Sequence, residues 1–403
     1  MPTEAAQAIV GIVGAGTMGA GIAQLALEHR HEVVIHDVDQ AAIERGRDRI
    51  REGLSRRAAK LDLDADTIDA WVDGRLAGLR HAETLGLLAG EADVVVEAAL
   101  EDLGLKREIF RALDAAAAPA TILATNTSAL SVAAIAEVVD RPERVIGLHF
   151  FNPAPVMRLV EVVAARRTDP GVADRGASLV ASWDRTPVRS ADAPGFIVNR
   201  VNRPFTIEAL RILEAGEASV EAIDAALRED GFPMGPFALM DLAGIDVNLA
   251  AARGIWKGLG RPDRLGPSPI QERLVAEGRL GRKTGHGFYR YLGGRPAGVS
   301  PEFGGPGERA AGASDAGGTV AAGTLAAEAI RDRILLSVVN EAWHALGERV
   351  ATAPDIDLAL RLGAAHPIGP FERTERLGGP GVVLARLQAL DRPAAPALSG
   401  ERA

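Results

Sequence analysis

The sequence predicts an α/β doubly wound domain followed by an all-α C-terminal part. Three observations predict it. Short apolar runs of strand type alternate with helix-type stretches over residues 9–149, and a glycine-rich turn joins the first strand to the first helix. From residue 170 the pattern changes to long helical periodicities, part of which recurs near the C-terminus. The 403 residues suffice for two or three cores, and 47% apolar with 25% charged residues is an ordinary globular balance. The absence of cysteine excludes disulfides and thiolate metal sites, and no metal is expected. A net charge of -9 argues against nucleic acid as the main partner. No run approaches 18 uninterrupted apolar residues and the N-terminus lacks a basic leader, so a cytoplasmic protein with no membrane partner is expected.

Residues 9–13 read as a short buried strand, 20–29 as a helix and 32–37 as a second strand. Between the first two lies Gly14-Ala15-Gly16-Thr17-Met18-Gly19. In this register Gly14 permits the tight turn, Gly16 lets backbone N–H groups approach a pyrophosphate, and Gly19 lets helix and strand pack closely. Asp37 stands eighteen positions after Gly19, at the end of the second strand. A carboxylate there accepts hydrogen bonds from ribose hydroxyls and repels a 2′-phosphate, which favours NAD over NADP. This is the Rossmann fingerprint, and Gly14, Gly16, Thr17, Met18, Gly19 and Asp37 are the candidate cofactor residues.

Residues 41–60 are helix-like and locally basic, from Arg45 to Lys60. The stretch either docks the phosphates of a large anionic substrate or is a solvated helix face. Further strands are expected at 94–99 and 121–125, with Glu101 and Ser128 just beyond them. Residues 145–163 form an apolar run broken by a proline-rich turn. If its two sides fold back as an antiparallel pair about Pro155, His149 faces Glu161, each six residues from the turn centre. That pair can make a general base. A core histidine with a satisfied hydrogen bond fits the stretch alone equally well.

Asp192-Ala193-Pro194-Gly195 precedes a helix expected to run towards Glu214, with Pro204 as a kink. The glycine-rich, basic segment 281–289 reads either as a phosphate loop or as a turn packing its aromatics on the core. Residues 293–323 contain ten glycines and three prolines and read as a flexible linker. Beyond it, Ile356-Asp357 and Gly369-Pro370-Phe371 echo Ile223-Asp224 and Gly235-Pro236-Phe237 at offsets of 133 and 134. The expected domains are 1–190, nucleotide binding; 191–292, helical, for substrate or dimerisation; 293–323, linker; and 324–403, a second and partial copy of the helical domain.

The motifs G-A-G-T-M-G-A-G-I-A-Q, V-V-E-A-A-L-E-D, T-N-T-S-A-L-S, G-L-H-F-F-N-P-A-P-V-M-R-L-V-E-V-V, D-A-P-G-F-I-V-N-R-V, G-F-P-M-G-P-F-A-L-M-D and G-R-K-T-G-H-G-F-Y, in that order, resemble the 3-hydroxyacyl-CoA dehydrogenase family. The likeness is to its bacterial 3-hydroxybutyryl-CoA type with a duplicated C-terminal domain. It implies NAD-dependent oxidation of an L-3-hydroxyacyl-CoA, with His149 as the catalytic base and Glu161 as its partner. It also implies that Ser128 bonds the substrate's C3 oxygen, that Asn199 helps hold the substrate, and that Glu101 and Lys106 line the nicotinamide end of the cofactor site. Lys60 falls near a family lysine that contacts coenzyme A. Arg30 stands where a glycine is expected before the second strand. The resemblance favours a homodimer, or a monomer if the internal repeat covers the same surface. Two other readings are a dehydrogenase of a non-CoA hydroxy acid, of sugar-acid or carnitine type, and a non-catalytic protein that keeps the NAD fold.

Overall fold

The computed structural model describes residues 8–61, 63–303 and 325–400. It divides into two compact units, with the boundary between Phe196 and Ile197.

In the first unit the strands are β1 (Ile9–Val13), β2 (Glu32–His36), β3 (Leu79–His81), β4 (Val94–Glu97), β5 (Ile122–Thr125), β6 (Val145–Phe150), β7 (Leu159–Ala164) and β8 (Thr186–Ala191). They form one sheet in the order β3-β2-β1-β4-β5-β6-β7-β8. Pairing is parallel from β3 to β6, antiparallel between β6 and β7, and parallel again between β7 and β8. The helices are α1 (Thr17–Glu28), α2 (Gln40–Ala58), α3 (Ala65–Leu76), α4 (Leu85–Glu91), α5 (Leu103–Ala116), α6 (Val132–Ala136) and α7 (Pro170–Ser182). Two hydrophobic clusters pack the strands. One gathers Val10, Ile12, Val96 and Ile146 with α1 and α2, and the other gathers Val95, Leu123 and Val145 with α4 and α5. Central strands buried on both faces explain their continuous apolar runs.

Arg30 closes α1 in the left-handed region (φ 66°), with His31 N donating to Ala26 O at 3.0 Å. An arginine thus takes a helix-ending conformation that glycine takes at lower cost. The basic stretch of α2 is a solvated face with its own partners: Arg45 pairs with Asp39, Arg51 with Asp73 and Arg57 with Glu28. The expectation of unbroken helical structure from residue 170 is corrected by β8. Its Pro187 is tolerated because β8 is an edge strand, where a missing N–H costs no ladder bond.

The second unit is helical with one small hairpin, so it is not wholly α. It begins with α8 (Val198–Val201), α9 (Arg203–Glu214), α10 (Val220–Glu229), α11 (Pro236–Ala243), α12 (Ile245–Gly258) and α13 (Pro269–Ala276). Pro204 lies in the first turn of α9, where its absent N–H is not needed, so the helix restarts there instead of kinking. Strands β9 (Tyr289–Leu292) and β10 (Arg295–Val299) pair antiparallel across Gly293 and Gly294, both at positive φ. The first part of the expected linker, 293–303, is therefore folded as the hairpin turn, β10 and a 3-10 turn at Pro301–Phe303, and 304–323 lies outside the described residues. Segment 281–289 is a packed turn: Phe288 is fully buried against Phe237 and Phe303, and Lys283 pairs with Asp246.

The chain continues with α14 (Ala327–Gly347), α15 (Ala353–Gly363), α16 (Pro370–Arg376) and α17 (Pro380–Ala389). One hydrogen-bond arrangement occurs twice. Asp224 accepts from Phe237 N at 2.9 Å and Ala238 N at 3.0 Å, and Asp357 accepts from Phe371 N at 2.8 Å and Glu372 N at 3.0 Å. In each case a carboxylate, buried at Asp224 and half-buried at Asp357, caps the next helix, whose first N–H groups have no intrahelical acceptor. No helix among the described residues is long and apolar enough to cross a membrane.

Candidate active site

The parallel strands end side by side, and most of the sequence-predicted residues of the first unit sit at or just past those ends. At β1, Gly14 has φ 99°, and an added Cβ there would lie 2.8 Å from Ala98 O. At Gly19 an added Cβ would lie 1.8 Å from Gly14 O, so only glycine lets α1 start this close to β1. At Gly16 an added Cβ would meet nothing within 4 Å. Gly16 thus leaves open approach to the start of α1, where Thr17, Met18 and Gly19 present first-turn N–H groups. Asp37, one residue past β2, accepts from Ala15 N at 2.8 Å and so ties its carboxylate to the same turn. These residues fit a dinucleotide: N–H donors for the pyrophosphate, space above Gly16, and a carboxylate beyond β2 for the ribose.

Beyond β4, Glu101 organises the segment that follows β5. Its Oε1 accepts from Thr127 Oγ1 at 2.7 Å, Ser128 N at 2.9 Å, Ser128 Oγ at 3.3 Å and Ala129 N at 3.1 Å. Burial raises the Glu101 carboxyl, but these bonds and the Lys106 charge outweigh it and hold it below the ordinary carboxylate range. Behind it Lys106, 1% exposed, donates to Glu97 Oε1 at 2.7 Å and lies 3.4 Å from Glu101 Oε2. Sequence reasoning missed Glu97, Asn126 and Asp192 as positioning residues. Asn126 Oδ1 accepts from Phe150 N at 2.8 Å and fixes the end of β6. Asp192 accepts from Ser131 Oγ at 2.7 Å and from Val132 and Ala133 N, holding the start of α6. The visible signal was an acidic or amide side chain at, or directly after, the end of a strand.

The strand pair β6–β7 has the register expected from the symmetry about Pro155, with His149 opposite Glu161. Nδ1 of His149 and Oε2 of Glu161 are 2.6 Å apart, with His149 5% exposed and Glu161 fully buried. Phe151 and Phe196 flank the imidazole at centroid distances of 4.5 and 5.7 Å. Two aromatic rings thus line the imidazole, and a carboxylate facing Nδ1 favours the tautomer that carries its proton there. Asn199 belongs to the second unit, on α8, and Lys60 is exposed in the turn after α2. Among the described residues no cluster of three or more His, Cys, Asp or Glu could hold a metal ion.

The sheet order, the glycine turn and the buried histidine–carboxylate pair define a nicotinamide-dependent dehydrogenase. Comparison with known proteins narrows the class. The NAD binding domain model of 3-hydroxyacyl-CoA dehydrogenase matches residues 9–193, and the C-terminal domain model of the same family matches 195–291 and 330–392. The chain belongs to the 3-hydroxyacyl-CoA dehydrogenase family, as its motif order implied. It is 45% identical over 294 residues to 3-hydroxyadipyl-CoA dehydrogenase of Escherichia coli, an alignment covering 73% of this chain and 61% of that relative. It is 41% identical over 285 residues to the mitochondrial hydroxyacyl-coenzyme A dehydrogenase of Rattus norvegicus, covering 70% of this chain and 90% of the relative. The crystal structure of 3-hydroxybutyryl-CoA dehydrogenase from Escherichia coli superposes with a TM-score of 0.83 at 35% identity, over 98% of this chain and 96% of that one.

Proposed function

We propose that this protein oxidises the 3-hydroxyl of an L-3-hydroxyacyl-CoA to the 3-ketone with NAD+. The observation that carries the reading is the 2.6 Å contact between His149 Nδ1 and Glu161 Oε2 in a buried setting. Gly14, Gly16, Thr17, Met18, Gly19 and Asp37 hold the cofactor, and Glu101 with Lys106 shapes its nicotinamide end. NAD+, when bound, supplies the acceptor for the hydride leaving C3. His149 takes the hydroxyl proton at Nε2 while Glu161 stabilises the imidazolium that results. Ser128, its hydroxyl and N–H directed by Glu101, holds the C3 oxygen; Asn199 is assigned a share in holding the substrate. Similarity to relatives named for both a four-carbon and a dicarboxylic six-carbon substrate supports the CoA thioester class.

Initial rates test this directly. NADH should form from NAD+ with L-3-hydroxyacyl-CoA thioesters and not with the corresponding free acids. Turnover of the free acids alone would move the assignment to the sugar-acid or carnitine type. Lys60→Ala should raise KM for the thioester several-fold with kcat nearly constant, as expected for a lysine on the coenzyme A phosphates; an unchanged KM removes that role.

We also propose that residues 330–392 are a second copy of the C-terminal domain that lacks the Asn199 arm. The paired Asp224 and Asp357 caps and the match of one domain model to both segments support it.

A further inference from the structure

Arg203 is the first residue of α9 and is 7% exposed. Among the described residues no carboxylate or carbonyl pairs with its guanidinium, and its Nε is buried without a partner. Its neighbour on α8 is treated differently. Arg200, 0% exposed, donates to Glu341 Oε1 at 2.8 Å and to both oxygens of Glu348 at 2.7 and 2.8 Å. Arg144, whose Nε is also unpartnered, spends its terminal nitrogens on the Asp114 carboxylate and three carbonyls. Burial pushes the Arg203 pKa down to about 10, which still leaves it charged at neutral pH. A buried cation without an anion is costly, and chains keep one where a ligand supplies the anion.

Its position indicates which ligand. Arg203 is four residues after Asn199, and Asn202 between α8 and α9 keeps right-handed helical angles (φ -80°, ψ -5°). The two side chains therefore share a face, about one 5.4 Å turn apart. Helical side chains lean towards the N-terminus, which carries Arg203 back towards Asn199. If Asn199 holds the substrate near C3, a guanidinium one turn along is spaced for a group a few carbons further down the acyl chain.

We infer that Arg203 is the counter-ion for a carboxylate at the distal end of the acyl chain, making dicarboxylic 3-hydroxyacyl-CoA of the six-carbon class the preferred substrate. The inference rests on the reading of Asn199 as a substrate-holding residue. A planar guanidinium accepts a carboxylate through two parallel hydrogen bonds, whereas an uncarboxylated chain would leave its charge buried and unpaired.

The test compares kcat/KM for L-3-hydroxyadipyl-CoA and L-3-hydroxyhexanoyl-CoA, which differ in the terminal carboxylate, in the wild type, Arg203→Met and Arg203→Lys. The wild type should favour the carboxylated substrate by on the order of a hundredfold. Arg203→Met should bring the ratio close to one, mainly through KM, and Arg203→Lys should retain part of it. A wild-type ratio near one, or an equal loss on both substrates in Arg203→Met as expected for a contact to coenzyme A itself, overturns the inference. Oxidation of neither thioester with NAD+ would instead overturn the dehydrogenase reading. Should Arg203→Met not fold, adipyl-CoA and hexanoyl-CoA binding to the wild type decides: tighter adipyl-CoA binding supports the inference and equal affinities defeat it.

Discussion

Two buried acid–base pairs of the first unit, Lys106–Glu97 and His149–Glu161, differ in the chemistry they offer. Glu97 accepts from Lys106 Nζ, Thr125 Oγ1 and Ala99 N, while Lys106 also reaches Ala99 O and Glu101. Every charge in that pair is answered from within the protein, so its effect is to fix the β4 end and the Glu101 bracket. In the other pair Glu161 Oε2 meets Nδ1 of His149, and in the proposed mechanism Nε2 takes the proton of the substrate hydroxyl. With similar burial, the Lys106–Glu97 pair is read as a strut, and we propose that the His149–Glu161 pair serves as the acid–base unit.

The sharpest way to break that comparison is to exchange the consequences. His149→Gln should lower kcat/KM by ~10²–10⁴ while NADH affinity by fluorescence titration stays within a few-fold. A loss of only a few-fold removes His149 from its role. Lys106→Met leaves the Glu97 carboxylate buried beside fewer donors. It should cost about 3 kcal/mol in urea unfolding, and a change below about 1 kcal/mol would mean the pair is no strut. Asp224 in the second unit extends the strut class to an acid with no cationic partner at bonding distance among the described residues. Burial pushes it up to about 6, opposed by bonds from Phe237 N, Ala238 N and Tyr289 Oη. Its folded pKa lies above the unfolded value, so the folded state binds more protons and stability falls as pH rises from about 4 to 6, by up to about 3 kcal/mol. Asp224→Asn should flatten that part of the profile in thermal melts; an unaltered slope contradicts the shift. The smallest effect is expected from Glu161→Gln, a roughly tenfold fall in kcat/KM, because the amide oxygen still accepts from Nδ1 while its charge is gone.

The residues with the strictest local requirements were the most legible. The Gly14 to Gly19 turn and the His149–Glu161 register follow from backbone approach and from symmetry about Pro155, both local rules. β8 escaped because Thr186-Pro187-Val188 has a proline and little alternation, and only its place at the sheet edge makes it a strand. The hairpin of β9 and β10 was hidden by glycine content, although Leu292-Gly293-Gly294-Arg295 is a two-residue turn signal. The basic face of α2 could not be read either way, because its partners Glu28 and Asp73 come from other helices. Glu97 and Asn126 were missed for the same reason: a positioning residue is defined by what it touches across strands. Arg203 carried no motif, and only its burial without a counter-charge distinguishes it.

If His149 and Glu161 act as one catalytic unit, a double-mutant cycle on kcat/KM measures their coupling. With the base removed, the carboxylate has no imidazolium to stabilise. His149→Gln/Glu161→Gln should therefore lose no more activity than His149→Gln alone. Losses that multiply, with the double variant falling a further tenfold, would show that Glu161 acts elsewhere than through His149.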